Sequence, residues 1–222
     1  MKTKLIFCIL AAALLFSAKG GIAMAKNKEI ALPAPRTKGV LSLEEALYLR
    51  RSHRRFSDKE LSLEQVGQLA WSAQGITAKS AAHSFRTAPS AGALYPMEIY
   101  LVKHDGLYHY IPEGHKLEVL GSKDLRPALS AAASGQSSVS QAPLDIVICA
   151  VYPRITAKYG ERGIKYAWIE AGHIAQNIHL EAVALGLASV PVGAIGDKEI
   201  QKALGLPGDT EPLYIIPVGY AD

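Results

Sequence analysis

The sequence predicts an α+β domain built on a mixed sheet, and three observations carry that expectation. Glu98–Lys103 and Leu107–Tyr110 read as strands joined at Asp105-Gly106, a strong hairpin signal. Leu144–Tyr152 is a continuous apolar run, the pattern of a strand covered on both faces. Gly163–Leu185 repeats apolar residues at helical spacing along its whole length. Helices and strands interleave, but the hairpin argues against a purely parallel α/β sheet.

In chain order, residues 1–25 are set apart from the rest. Lys2 and Lys4 precede an apolar run from Leu5 to Phe16, and Ala23-Met24-Ala25 presents small residues at a cleavage position. This predicts a Sec-type signal peptide cut after Ala25 and an exported, periplasmic product. The run is shorter than the roughly 20 apolar residues of a spanning helix and ends at Ala18-Lys19-Gly20-Gly21. No stable membrane insertion is therefore expected after cleavage. No Arg-Arg pair precedes the run, and Cys8 lies inside it, so twin-arginine and lipoprotein routes are unsupported. Without Lys2, Lys4 and Lys19 the 24 basic residues become 21 against 20 acidic ones, a net of +1. Such balance argues against a nucleic-acid partner, which needs a concentrated basic face. Cys149 is then the remaining cysteine, a small side chain buried in a strand rather than half of a disulfide.

Residues 26–41, with Pro33, Pro35 and Gly39, read as an extended arm, and residues 42–222 as one domain. Ser42-Leu43-Glu44-Glu45 and Ser62-Leu63-Glu64-Gln65 are capping boxes that open helices running to about Arg50 and Gly75. Residues 76–92 are small and polar and predict a long functional loop. Lys123–Ala133 is a predicted helix with Pro127 in its first turn. In the long helix, Ile164, Trp168, Ala171, Ala175, Ile178, Ala182 and Leu185 form one apolar side, which Ala167, Ile174 and Val183 widen. A stripe that broad needs packing on two sides, as a central helix or a subunit interface. Trp71 and Trp168 read as core. Val190–Ile195 and Leu213–Tyr220 are predicted strands flanking a helix at Lys198–Leu204.

Three segments carry the chemistry. Arg50-Arg51-Ser52-His53-Arg54-Arg55 places four arginines and a hydroxyl just past a helix, suited to a phosphate dianion or else to a solvated basic turn. Ala88-Pro89-Ser90-Ala91-Gly92-Ala93-Leu94-Tyr95-Pro96 and Val190-Pro191-Val192-Gly193-Ala194-Ile195 are small-residue loops whose backbones can approach a flat ligand closely. Ser90 lacks a nucleophile elbow. His173 and His179 are wrongly spaced to share a metal, and His104, His109 and His115 have no cysteine or carboxylate at ligand spacing, so no metal is expected.

Together these segments, with Glu170-Ala171-Gly172-His173-Ile174-Ala175-Gln176-Asn177 in the long helix and Leu185 to Gly193, resemble the FMN-dependent nitroreductase family. Their wording resembles its SagB-type dehydrogenase branch, over essentially residues 42–220. The resemblance implies a three-layer fold whose central mixed, mainly antiparallel sheet is flanked by helices, in a domain-intertwined homodimer. It implies that Arg50, Arg51, Ser52 and Arg54 hold the FMN phosphate and ribityl chain. Pro89, Ser90, Ala91, Gly92, Ala93 and Leu94 match the loop that reaches the other subunit's flavin, and Gly193 and Ala194 the amides near its reactive nitrogen. Lys165-Tyr166 stands where azoline-oxidising relatives carry a proton-abstracting pair, against the bland reading of an exposed lysine and a packing tyrosine.

The implied activity is hydride or electron transfer by a ping-pong mechanism, from a donor such as transiently bound NAD(P)H to a small organic acceptor. The chain departs from the family in ending at Gly219-Tyr220-Ala221-Asp222, without a basic residue after the last strand. Two rival readings are a flavin-binding module without turnover, which that missing residue favours, and an exported serine hydrolase using Ser90.

Overall fold

A computed structural model describes residues 28–81 and 84–222; the expected signal peptide, residues 1–25, lies outside them. The first half contains β1 (Glu29–Ala31), α1 (Leu43–Leu49), α2 (Leu63–Gln74), β2 (Ile76–Lys79), β3 (Ser84–Arg86), β4 (Met97–Lys103), β5 (Gly106–Ile111) and β6 (Lys116–Gly121). The second contains α3 (Arg126–Ala132), α4 (Ser137–Gln141), β7 (Leu144–Val151), α5 (Pro153–Tyr159), α6 (Arg162–Ala184), β8 (Ala188–Ser189), α7 (Asp197–Leu204) and β9 (Thr210–Gly219).

Seven strands form one sheet in the order β1-β6-β5-β4-β7-β9-β8, and every pairing between them is antiparallel. The parallel component of the expected mixed sheet is an isolated bridge from Ser52 to Ser189. All eight residues of β7 are buried. Leu144, Ile146, Ile148 and Ala150 pack with Leu69 and Ala70 of α2 and with Ile174 and Ile178 of α6. Val147 and Cys149 face the other way, onto Leu129 of α3, Val139 of α4 and Ile200 of α7. Three layers result, with the sheet between two sets of helices.

The two capping boxes form as predicted: Ser42 Oγ accepts from Glu45 N at 3.1 Å, and Ser62 Oγ from Gln65 N at 3.3 Å. Glu45 and Gln65 return the bond to the capping amides at 2.8 and 3.0 Å. The hairpin turns through His104-Asp105, because Gly106 at φ 152° already pairs with Lys103.

The structure corrects the sequence reading in several places. Residues 76–92 are not simply a loop, since β2 and β3 pair within them. Val190–Ile195 is not a strand: β8 stops at Ser189, and Val192 makes only a bridge to Ile215. Pro191 has no N–H to donate, which interrupts the ladder there. Trp168 is not core but 59% exposed, its indole N–H donating to the Tyr152 hydroxyl at 2.8 Å. The arm, expected to be extended, contributes β1, which the sequence reading did not give as a strand, and the Pro33 carbonyl holds His115 Nε2 at 3.0 Å. Among the described residues no helix is long and apolar enough to cross a membrane.

Asp145 of β7 is fully buried, and neither carboxyl oxygen has a partner. Burial pushes its pKa well above the usual Asp range, outweighing the pull of Arg126, which is engaged by Asp124 and the Ala142 carbonyl. A carboxyl that binds its proton more tightly when folded lowers stability at neutral pH, and that loss is relieved as pH falls toward the ordinary Asp value. Asp145→Asn is therefore expected to exceed the parent in stability near neutrality by about 1 kcal/mol or more. Urea denaturation should show the difference shrinking toward about pH 4; a constant difference across pH would contradict the assignment.

Candidate active site

The arginine segment leaves α1 and runs beside the sheet edge. Ser52 bridges Ser189, and the His53 amide donates to the Ser189 carbonyl at 3.1 Å. Further on, the Ser57 amide donates to the Tyr220 carbonyl at 3.0 Å. The segment thus lies against the start of the 190–194 loop and against the last strand. This places the arginine segment beside β8, which leads into the loop carrying Gly193 and Ala194, both exposed. Arg51 Nη1 donates to the Tyr48 and Arg50 carbonyls at 2.8 and 2.7 Å. Among the described residues, no carboxylate side chain pairs with Arg50, Arg51, Arg54 or Arg55. Guanidinium groups left without anions on a structured turn form a site ready for one.

Beneath them lies His179 of α6, 5% exposed, whose Nδ1 meets Ser189 Oγ at 2.7 Å while Nε2 has no partner. Burial, helped by the nearby Arg50 charge, lowers its pKa to about 4, so it is a neutral imidazole.

The second predicted loop lies elsewhere on the same chain. Ser90 neighbours Glu170, nine residues before His179 and so about 13 Å along the helix at 1.5 Å per residue. Pro89, Ser90 and Ala91 face Tyr166, Ile169, Glu170 and His173 of α6 across an opening of about 280 Å³. The structure therefore sets the arginine segment beside the strand that precedes the 190–194 loop and the 89–94 loop farther along α6. A larger cavity of about 450 Å³ lies under the arm between Arg36 and Leu43, lined also by Thr87, Asn177 and Glu181.

The 89–96 loop is held in a strained form. Ala91–Ala93 makes a 3-10 turn, with Gly92 at φ 64°, Ala93 at 54° and Tyr95 at 47°. Positive φ is unfavourable for residues with a Cβ and persists only where surroundings enforce it. Here Ser90 Oγ accepts from the Tyr95 amide at 2.9 Å, and the Arg86 guanidinium lies 4.5 Å over the Tyr95 ring. Arg154 links the Tyr95 carbonyl at 3.5 Å to Glu98, whose other oxygen meets His109 Nε2 at 2.6 Å. Arg154 and His109 together hold the Glu98 carboxyl below its usual range against the effect of burial.

Lys165 is exposed, and Tyr166 is half-buried with its ring edge-on to Tyr159, centroids 5.2 Å apart. Sequence reasoning missed Glu170, Gln74 and Arg86. The signal for Glu170 was present, an acid on the buried stripe between Ala167 and Ile174.

A sequence model described as the nitroreductase family matches residues 47–220. A Methanocaldococcus jannaschii protein assigned as a nitroreductase is 39% identical over 185 residues, covering 81% of this chain and 91% of that one. A crystal structure of a Ralstonia eutropha protein with the same assignment superposes with a TM-score of 0.79 at 31% identity, covering 90% and 92% of the two chains. A chain of the Escherichia coli microcin synthetase McbBCD complex, with truncated pro-MccB17 bound, gives 0.67 at 25% identity over 97% of this chain and 85% of that one.

Gly92→Ala is expected to cost about 1 kcal/mol from its left-handed backbone. The added methyl would also meet the Tyr159 hydroxyl at 2.7 Å. Thermal melting checks this; an unchanged melting temperature would show that the loop relaxes freely.

Proposed function

Because the chain belongs to the nitroreductase family, in its SagB-type branch, we propose that it is an FMN-dependent oxidoreductase working on small organic substrates. The observation that carries the FMN reading is the arginine segment, free of carboxylate partners among the described residues and seated on Ser189 of β8, just before the 190–194 loop. Arg50, Arg51 and Arg54 offer forked donors to a phosphate dianion, and Ser52 adds a hydroxyl. Exposed Gly193 leaves its backbone open to a flat ring, and buried His179 Nε2 retains an unused hydrogen-bonding position nearby. These residues fit a mononucleotide. FMN bound there would supply hydride and electron transfer, while the protein binds, orients and excludes water.

The Arg55 carbonyl accepts from the Asp222 amide at 3.4 Å, and Lys59 sits 3.9 Å over the Tyr220 ring. The segment carrying the early basic residues therefore stands beside Tyr220 and Asp222. That weakens the case for a module without turnover, and family membership replaces the serine-hydrolase reading.

The separation of the two clusters along α6 supports a homodimer, in which the 89–94 loop of one copy completes the phosphate cluster of the other. Val40, Leu43, Leu47, Tyr48 and Leu49 of the arm and α1 are more than half exposed, and Trp168 of α6 likewise. Such a concentration of apolar surface suits a second copy. Donor and acceptor, with NAD(P)H as one donor, would use the same open face in turn, which is ping-pong behaviour. Lys165-Tyr166 stands at the margin of the opening beside the loop, and Lys165 would need a second chain to bury it before it could act as a base. The leader pattern of residues 1–25 supports action outside the cytoplasm.

Flavin fluorescence titration tests the cofactor. Arg51→Ala should weaken FMN binding by about 1.5–3 kcal/mol, the scale of a charged hydrogen bond. Unchanged affinity would remove Arg51 from the site, and no FMN binding by the parent would overturn the cofactor assignment. Sedimentation should give a dimer that Leu47→Glu weakens; a monomeric parent at micromolar concentration would refute the two-chain site.

A further inference from the structure

The arm is fastened at three points before it reaches α1. Leu32 is buried beside Gly67, where an added Cβ would meet it at 3.4 Å. The Pro33 carbonyl meets His115 Nε2, and Gln68 grips the backbone of Arg36 twice. Its Oε1 accepts from the Arg36 amide at 2.8 Å, and its Nε2 donates to the Arg36 carbonyl at 3.0 Å. From Thr37 to Val40 every residue is exposed, and Ser42 then caps α1. This stretch is one wall of the cavity of about 450 Å³, whose other walls include Trp71 and Ser72 of α2 and Leu180, Glu181 and Leu185 of α6. Small-molecule sites commonly occupy roughly 300–1,000 Å³. No residue of the arginine segment, of the 89–94 loop or of the 190–194 loop lines it, so it is a space apart from the one assigned to FMN.

Asn177 and Glu181 stand four residues apart on α6, which sets their side chains about 6 Å from each other on one face. Both are half-buried and line the cavity. Asn177 Nδ2 donates to the Thr87 carbonyl at 3.3 Å, and its Oδ1 has no partner among the described residues. Glu181 makes no ion pair among them either. Burial pushes its pKa above the usual Glu range, against the pull of the Gln68 amide and the Arg36 charge. The charged carboxylate therefore lacks part of the solvation it has in water, which a cation at hydrogen-bond distance would restore. Arg36 and Lys38 reach the cavity from the arm, where both are exposed and can extend into water.

Around these two acceptors the cavity is apolar, through Leu180, Ala184 and Leu185 of α6, Ala46 of α1 and the ring of Trp71. Val40 and Leu43 also line it and are more than half exposed, so they stand at its mouth. Under the dimeric reading a second copy would close that mouth over an occupant.

We propose that the cavity under the arm is a binding site for a small organic cation with an apolar body. An ammonium or amidinium head would donate to Glu181 and to Asn177 Oδ1, with its ring or alkyl chain against Leu180, Leu185 and Trp71. The assignment stands on the cavity and its acceptors and does not depend on the flavin reading.

Three molecules sharing one indole body separate charge from shape: tryptamine is a cation, tryptophol is neutral and indole-3-acetate is an anion. Equilibrium dialysis at neutral pH should give one tryptamine site per chain, about tenfold or more tighter than tryptophol, with indole-3-acetate weakest. Glu181→Gln should bring tryptamine down to the affinity of tryptophol and leave tryptophol unchanged. Ala184→Trp, which fills the cavity, should remove both, with its melting temperature reporting that it folds. Should that variant fail to fold, the Glu181→Gln comparison decides alone. Saturating FMN should leave tryptamine affinity unchanged; competition between the two would put the amine at the flavin site and overturn the proposal. Equal binding of the three indoles, or no binding of any, would overturn it as well. If FMN itself does not bind, the cofactor reading falls, and the indole series still decides this site.

Discussion

α6 lies directly on the sheet through Ala167, Ala171, Ala175 and Ala182, all nearly or completely buried, and both chemical clusters take their positions from that seat. Small side chains let the helix approach β4, β7 and β9 closely. At its start Gly163 allows the carbonyl of Ile155 to come within 3.1 Å of where a Cβ would stand, so α5 folds tightly back. The helix then acts as a rigid spacer. His179 carries the arginine segment and β8 near one end, and Glu170 meets the strained loop near the other.

Asp145, His179 and Glu170 are buried polar side chains with an unpartnered atom, and their surroundings separate them. Asp145 is enclosed by the α3, α4 and α7 layer, lines no opening described here, and is explained by a cost to stability. His179 is held by Ser189 and stays neutral beneath a cluster of cations. Glu170 borders an opening and belongs to a chain of bonds through Gln74 to Arg86, whose guanidinium also covers Tyr95.

The strain in the 89–96 loop has a related logic. Ala93 and Tyr95 hold positive φ values that neither residue favours, and the bonds enforcing them come from β3, from α5 and from the loop itself. A loop fixed at this cost presents one surface, which serves recognition of a flat ligand better than a mobile one. Glu98 extends the support into the sheet by tying Arg154 to His109.

Local signals in the sequence were sufficient wherever the physics was local. Both capping boxes, the hairpin, β7 and the extent of α6 follow from side chains within a few residues of one another. The arginine segment and the two small-residue loops were also visible as candidate binding elements. Trp168 was misjudged because periodicity reveals that a helix has an apolar stripe without revealing which edge of it the sheet covers. β1 escaped notice because a three-residue edge strand is stabilised by its partner's amides more than by its own pattern, and β6, which lies between β1 and β5, was missed with it. Tertiary structure alone decided that the arginine segment lies against β8, just before the 190–194 loop, and that Ser90 meets α6 at Glu170, about 13 Å along the helix from His179. It alone also left an oxygen of Glu170 unpartnered beside an opening, since hydrogen bonds between residues 74, 86, 90 and 170 depend on packing that no sequence window contains.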